Sequence, residues 1–288
     1  MATAATVAAV RCLYVDLDGT LLGPGGSLLR AHDGTFALDG IRALQACARA
    51  DVEVVIYSGR RQESVFDVAR LIGHTSYIFE LGCGLVLDGE LEWLTDGVEP
   101  SEDAGSIYDQ IAASGAPELL LKAFTGQLEY HTPWSVRREV SHLFRGQVDL
   151  GEADELLSQH GLGWLRLVDN GVIAAHGVPL IRSLTSLADH VERVHAYHLI
   201  PAASSKARAV ARHMQNRGYA PPDCIAAGDS REDLEAAGVV GTFWLVANAL
   251  ERDPTLAREI AGRPGVRVAS AGYGAGVYEA VVSTLAER

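Results

Sequence analysis

Cys12 to Thr20 reads CLYVDLDGT, an apolar run that ends abruptly in two aspartates, Asp16 and Asp18, followed by Gly19 and Thr20. Apolar residues without alternation predict a strand covered on both faces, the kind that builds a parallel sheet. Asp16 and Asp18 then stand at its carboxyl end, the edge along which open α/β sheets bind ligands. Side chains alternate along a strand, so this spacing lets both carboxylates project to one side. Carboxylates that close repel each other unless a cation or a shared proton relieves the charge. Taken alone, the same residues fit an Asp-Gly turn that merely caps a strand. The partners supplied by the rest of the chain decide between the two.

Downstream, apolar pairs around a Gly/Pro turn (LLGPGGSLL, 21–29) predict a small hairpin. Ile41, Leu44 and Ala48 keep helical spacing over 38–50, and VEVVIYS (52–58) is a second continuous strand ending in Ser58-Gly59-Arg60. Val65, Val68, Ala69 and Ile72 mark a further helix, and Tyr77 to Phe79 a third short strand. Strand alternating with helix predicts an α/β fold with a doubly wound parallel sheet.

After Glu80 the pattern changes. Gly82, Gly84 and Gly89 punctuate a hairpin-like segment, followed by a predicted helix over 102–113, strands at 119–124 and 127–131, and helices over 133–144 and 152–160. GWLRLVDNGVIAA (163–175) reads as a hairpin turning at Asp169-Asn170-Gly171. A helix over 179–191 and a strand near 194–199 complete the segment. From Ile200-Pro201 the first pattern resumes: a helix through Val210 and Met214, strand CIAAG (224–228) ending at Asp229, a helix over 230–237, strands at 242–246 and 266–269, and a C-terminal helix. The expected organisation is a core of residues 1–81 and 201–288, interrupted by an inserted α+β domain over 82–200.

The chain has 288 residues and a formal net charge of −13, which argues against nucleic acid or an anionic membrane surface as partner. Cys12, Cys47, Cys83 and Cys224 lie far apart without paired spacing and read as buried thiols of a reducing compartment. The N-terminus lacks a basic leading region and reads as a disordered tip plus strand, not a signal peptide. No apolar run reaches the length of about 18 residues needed to span a bilayer. A cytoplasmic protein is expected.

Four groups share one place, directly after a core strand or at the start of a helix. They are Asp16 to Thr20, Ser58-Gly59-Arg60, Ser204-Ser205-Lys206, and Gly228 to Asp233 (GDSRED). In a parallel sheet these positions converge on one edge. Carboxylates, one ammonium and hydroxyl donors suit a hard divalent cation beside a phosphate. Singly, each has a plainer reading: Ser58 as a helix cap, Lys206 as a solvated helix residue, Ser230 with Asp233 as a capping box.

In order and spacing these four segments resemble the motifs of the haloacid dehalogenase superfamily of phosphatases, and the insertion resembles the large α/β cap of its Cof-type and sugar-phosphate members. The resemblance implies Asp16 as nucleophile, Asp18 as general acid and base, and Lys206 as a catalytic cation. It implies Asp16, Thr20, Ser58, Gly59 and Lys206 around the phosphate. Mg2+ would be held by Asp16, Asp229 and the backbone carbonyl of Asp18, with Asp233, Glu232 and Asn248 supporting from behind. Two positions depart from the family pattern: Glu232 stands where Asn is usual, and Leu81 replaces the Asn of a Glu-Asn-Gly. Arg60 and the cap groups Lys122, His131, Arg137, Arg138, Arg166 and His176 are candidate substrate contacts. The implied reaction is hydrolysis of a small phosphorylated metabolite, a sugar phosphate or glycosyl-phosphoglycerate, through an aspartyl-phosphate. A phosphotransferase or mutase using the same intermediate, and a metabolite-binding module that has lost catalysis, are the alternatives.

Overall fold

The computed structural model describes residues 9–175 and 185–287. The core begins with β1 (Cys12–Val15), α1 (Asp39–Arg49), β2 (Glu53–Tyr57), α2 (Gln62–Leu71), β3 (Tyr77–Phe79), β4 (Gly84–Leu87) and β5 (Glu90–Trp93). The cap follows: α3 (Ile107–Ala113), α4 (Ala116–Ala123), β6 (Leu128–Tyr130), β7 (His142–Gly146), α5 (Leu150–Gln159), β8 (Leu165–Ala175) and β9 (Arg193–Pro201). The chain returns to the core through α6 (Lys206–Arg217), β10 (Cys224–Gly228), α7 (Arg231–Leu234), β11 (Thr242–Leu245), α8 (Ala247–Arg252), α9 (Leu256–Ile260), β12 (Val266–Val268) and α10 (Tyr273–Ala286).

The core sheet has eight strands in the order β12-β11-β10-β1-β2-β3-β4-β5. Strands β12 through β3 are parallel, and β4 and β5 are antiparallel additions. The lack of alternation in β1 has a direct cause. Leu13 and Val15 enter one apolar layer with α1, α2 and α10, while Cys12 and Tyr14 enter the opposite layer with α6. A strand covered on both faces has no polar side. The separate cap sheet is antiparallel throughout, ordered β6-β7-β9-β8. All four cysteines are buried and unpaired.

Several segments differ from the sequence reading. The hairpin at Asp88-Gly89, assigned there to the inserted segment, pairs onto the core sheet, because β4 completes the exposed edge of β3. Residues 119–123 are helical and Phe124 caps them: Gly115 in the left-handed region and Pro117 in the first turn start α4, and Leu120 fills the cap core. The helix expected over 102–113 starts only at Ser106, whose hydroxyl and Asp109 form a capping box. The segment 133–144 is not a helix. The amide N–H groups of Glu139 and Ser141 donate to the carboxylate of Glu80 instead of to helix carbonyls, and β7 begins at His142. Residues 165–175 form one strand, not a hairpin, with register shifts between Asp169 and Ala174. Asp169 accepts the Gly171 N–H locally, so Asp-Asn-Gly makes a bulge while β9 pairs with the strand on both sides of it. The helix expected over 179–191 lies partly outside the described residues, as does His176, and its described part from residue 185 is irregular.

Core and cap are joined at the end of β3. Glu80 and Leu81 both adopt positive φ (45° and 58°), and Glu80 is fully buried. Arg138 approaches the Glu80 carboxylate at 3.5 Å and donates to the Gly59 carbonyl of the core. Gly82 sits at φ +87° with Ser205 O 2.1 Å from where a Cβ would stand. The junction therefore presses against the start of α6.

Gly82→Ala should destabilise the protein by roughly 3 kcal/mol or more, adding backbone strain to a clash with the Ser205 carbonyl. Gly89→Ala, which has a similar φ of +92° and open space around it, should cost about 1 kcal/mol. Urea unfolding of the pair checks the difference, and equal losses would remove the close approach as the cause. Burial and the neighbouring Glu80 carboxylate push Glu139 up to about 8. The folded state thus keeps a proton that the unfolded chain releases near its ordinary pKa of about 4.5, so this group lowers stability as pH rises from there toward 8. Glu139→Gln should gain stability relative to the parent between pH 5 and 8, read from urea midpoints; a gap independent of pH would contradict this.

Candidate active site

Each strand that reaches the carboxyl edge next to β1 delivers one polar group. Asp16 follows β1, Ser58 and Gly59 follow β2, Asp229 follows β10, and Asn248 stands in the first turn of α8 after β11. Lys206 is the first residue of α6, whose N-cap Ser205 accepts the Arg208 N–H. The ammonium is fully buried, 2.8 Å from Asp16 Oδ1, 2.6 Å from Asp233 Oδ1, and 4.9 Å above the Tyr57 ring. Burial alone would drive Lys206 toward neutrality, but the charges and hydrogen bonds of Asp16 and Asp233 outweigh it and raise its pKa.

Asp233 does two jobs with two oxygens. Oδ1 meets Lys206, while Oδ2 accepts from the N–H groups of Asp229 (3.1 Å) and Ser230 (3.0 Å) and from the Ser230 hydroxyl (2.7 Å). Its ladder shapes the turn that presents Asp229. Asp229 in turn accepts from Thr20 Oγ1 (3.2 Å) and from Arg252 (2.8 Å). Burial and the nearby Asp233 push Asp229 up to about 6, against Arg252 and Lys206. Burial likewise raises Asp16 well above the carboxylate range, helped by Asp233 and Asp229 and opposed by Lys206.

Other groups tie the loop after β1. Asn248 donates to the Gly19 carbonyl at 2.8 Å and accepts the Tyr273 N–H at 2.8 Å. Gly19 has φ +93°, and a Cβ there would stand 2.1 Å from Asp229 Oδ2 and 2.7 Å from Arg252, so only glycine lets the loop pass. Asp18 is exposed, and both its oxygens lie 2.6 Å from the Arg60 guanidinium. Glu232 is buried at 3.3 Å from the Lys206 N–H and 3.6 Å from Arg166, and burial followed by Glu235 pushes it up to about 7. Arg231 turns away from it toward Glu259 and Asp253.

Asp16, Asp229 and Asp233 offer carboxylate oxygens within 4.8 Å of one another. Three carboxylates facing the two cations Lys206 and Arg252 leave an uncompensated negative charge. That oxygen donor set fits a hard divalent cation.

The cap closes this edge from above. Around Gly59, the position of a Cβ lies 2.7 Å from Asn170 Nδ2, 3.2 Å from His198 Nε2 and 3.3 Å from Leu81. Arg166 donates to the Ser204 carbonyl at 2.8 Å. His131 and Lys122 do not join this group: His131 is half-buried beside Arg145 and Arg138, pushed down to about 4 by burial and those cations, and Lys122 is exposed on α4. Sequence reasoning missed Asn170, His198 and Arg252 as site groups. Arg252 had a usable signal, four residues after Asn248 on the same short helix. Asn170 was hidden inside a turn motif.

No family model matches the chain. A phosphoglycolate phosphatase of Methanoculleus marisnigri is 25% identical over 276 residues, covering 94% of this chain and 95% of that protein. Among solved structures, the sucrose-phosphatase of Synechocystis in complex with sucrose and phosphate superposes with a TM-score of 0.63 at 15% identity, covering 96% of this chain and 98% of that one. A phosphatase of the haloalkanoate (HAD) enzyme superfamily from Bacteroides thetaiotaomicron superposes with a TM-score of 0.61 at 15% identity, over 96% and 95% of the two chains. With the sheet order and the inserted cap, these likenesses show that the chain has the fold of the haloacid dehalogenase phosphatases and is similar in sequence, over nearly its whole length, to phosphoglycolate phosphatases.

Proposed function

We propose that the protein is a Mg2+-dependent phosphatase acting on a small phosphorylated metabolite, with Asp16 as nucleophile. The observation that supports this most is the buried contact of Lys206 with Asp16 beside Asp229 and Asp233. Asp16 and Asp229, with the Asp18 carbonyl, would hold Mg2+, which supplies positive charge to the phosphoryl oxygens. Asp16 attacks phosphorus while Asp18 gives its proton to the departing ester oxygen. In the second half-reaction Asp18 takes a proton from water, whose oxygen attacks phosphorus and returns Asp16 as a carboxylate. Lys206 stays protonated throughout and offsets charge on the transferring group, with Ser58 donating to it and the Thr20 hydroxyl turning to it from Asp229, which it meets at rest. Arg60 forks onto Asp18 at rest, so proton transfer requires this pair to open; an arriving phosphate gives the guanidinium another anion to hold.

Within this class we favour a short phosphorylated carboxylic acid over the sugar phosphates and glycosyl-phosphoglycerates suggested by sequence resemblance. Asn170 and His198 crowd Gly59, 2.7 and 3.2 Å from where a Cβ would stand, which favours a small leaving group. The near full-length relative is named for phosphoglycolate. The fold's likeness to sucrose-phosphatase keeps sugar phosphates in the test.

A panel of 2-phosphoglycolate, hexose phosphates and p-nitrophenyl phosphate, assayed with Mg2+, should release inorganic phosphate without any acceptor alcohol, and Asp16→Asn should abolish release. Equal inactivity of parent and variant across the panel would leave only a binding role, while phosphate appearing solely with an acceptor would point to a transferase. Because Arg252 competes for Asp229, Arg252→Gln should tighten Mg2+ binding about fivefold, equivalent to about 1 kcal/mol for a part-exposed charge. Isothermal titration calorimetry reads this directly, and unchanged or weaker binding counts against it.

A further inference from the structure

Along β9, Tyr197 and Leu199 enter the cap core, so His198 between them faces the other way, toward the catalytic edge. It is 2% exposed. Its hydrogen bonding belongs to a relay that starts at Arg138, before β7. The Arg138 guanidinium, which only donates, gives Nε–H to Ser141 Oγ at 2.8 Å. The Ser141 hydroxyl proton is thereby free for its other neighbour, His198 Nδ1, at 3.0 Å. With Nδ1 accepting that proton, the neutral ring carries its own on Nε2. That atom is the one beside Gly59, together with Asn170 Nδ2.

The relay is anchored at both ends. Arg138 also donates to the Gly59 carbonyl, and Glu80 accepts the Ser141 N–H. Burial first, then the positive charges of Arg138 and Lys206, hold His198 neutral, its pKa well below the usual imidazole value. Two neutral donors thus stand over the Ser58-Gly59 loop, near Arg138 and Lys206, whose charges are already shared with Glu80 and with Asp16 and Asp233. A ligand atom placed between them must accept hydrogen bonds, and two donors onto one acceptor favour an anionic oxygen.

We propose that His198 Nε2–H and Asn170 Nδ2 recognise a carboxylate on the leaving group, which makes them the specificity-determining pair for a short phosphorylated carboxylic acid. This rests on the phosphatase reading given above. Asn170 is displayed by the bulge at Asp169 to Val172, and Ser141 and Arg138 are positioning residues that set the His198 tautomer.

Kinetics on 2-phosphoglycolate, which carries the carboxylate, and p-nitrophenyl phosphate, which lacks it, test the proposal. His198→Leu should lower kcat/KM for 2-phosphoglycolate roughly 10- to 100-fold, the range of one hydrogen bond to a charged group. It should leave p-nitrophenyl phosphate within about twofold. His198→Gln, which returns an N–H donor at the Nε2 position, should recover most of the loss, and Asn170→Ala should repeat the selective defect. Thermal unfolding of each variant guards against a folding effect. A parallel loss on both substrates in folded variants, or no rescue by Gln, overturns the proposal. A parent enzyme that cleaves p-nitrophenyl phosphate but not 2-phosphoglycolate overturns it while the phosphatase reading stands; a parent that cleaves neither overturns both.

Discussion

A fully buried ammonium between two aspartates is the constraint on which the rest of the catalytic edge depends. Removing Lys206 from water costs several kcal/mol, recovered only because Asp16 and Asp233 both reach it. Those carboxylates come from the residue after β1 and from α7, which follows β10, so the ion triad fixes α6 beside two strands that are neighbours in the sheet. Asp233 passes the constraint on, since its second oxygen organises the amides that lead into α7 and present Asp229. A well-packed apolar substitute for such a triad is often no less stable. Its presence fits the proposed reaction, in which a fixed charge beside Asp16 would offset that of a phosphoryl group.

A second buried charge, Glu80, joins the two layers. Its backbone and that of Leu81 take left-handed conformations that cost about 1–3 kcal/mol each for side chains of this kind. Hydrogen bonds from Glu139 and Ser141, with the Arg138 ion pair, offset that cost. The same Arg138 holds the Gly59 carbonyl, so the cap's attachment and the loop after β2 share one cation. Moving the cap therefore disturbs the loop after β2, and the reverse holds too.

The core was largely legible from the chain because its strands are apolar on both faces and end in polar groups at one edge. CIAAG over 224–228 is the clearest case, matching β10 residue for residue. The cap was read less well, for a physical reason in each instance. LLLKAF has β-strand composition, yet Gly115 and Pro117 had already started a helix that carries it. Residues 133–144 have helical spacing, but Glu80, more than fifty positions earlier, captures their amides. Asp169-Asn170-Gly171 has turn chemistry, and its partner strand lies beyond residue 190, so local residues alone point to a hairpin. Gly59 was visible as a loop residue; that Asn170 and His198 close on it depends on how the cap folds down, which no local pattern carries.

The order of the core sheet has one more consequence, for how molecules of this protein meet. Its two outer strands would present unpaired backbone groups to any passing chain. β5 reads Glu90-Leu91-Glu92-Trp93, with Glu90 exposed and Glu92 paired to Arg212. β12 is three residues long and carries Arg267, which lies over the Trp244 ring and reaches Glu287. A strand from another molecule docking on either side would have to strip water from these charges. The parallel core can therefore be wide and apolar inside without inviting a crowded cell to extend it into a shared sheet.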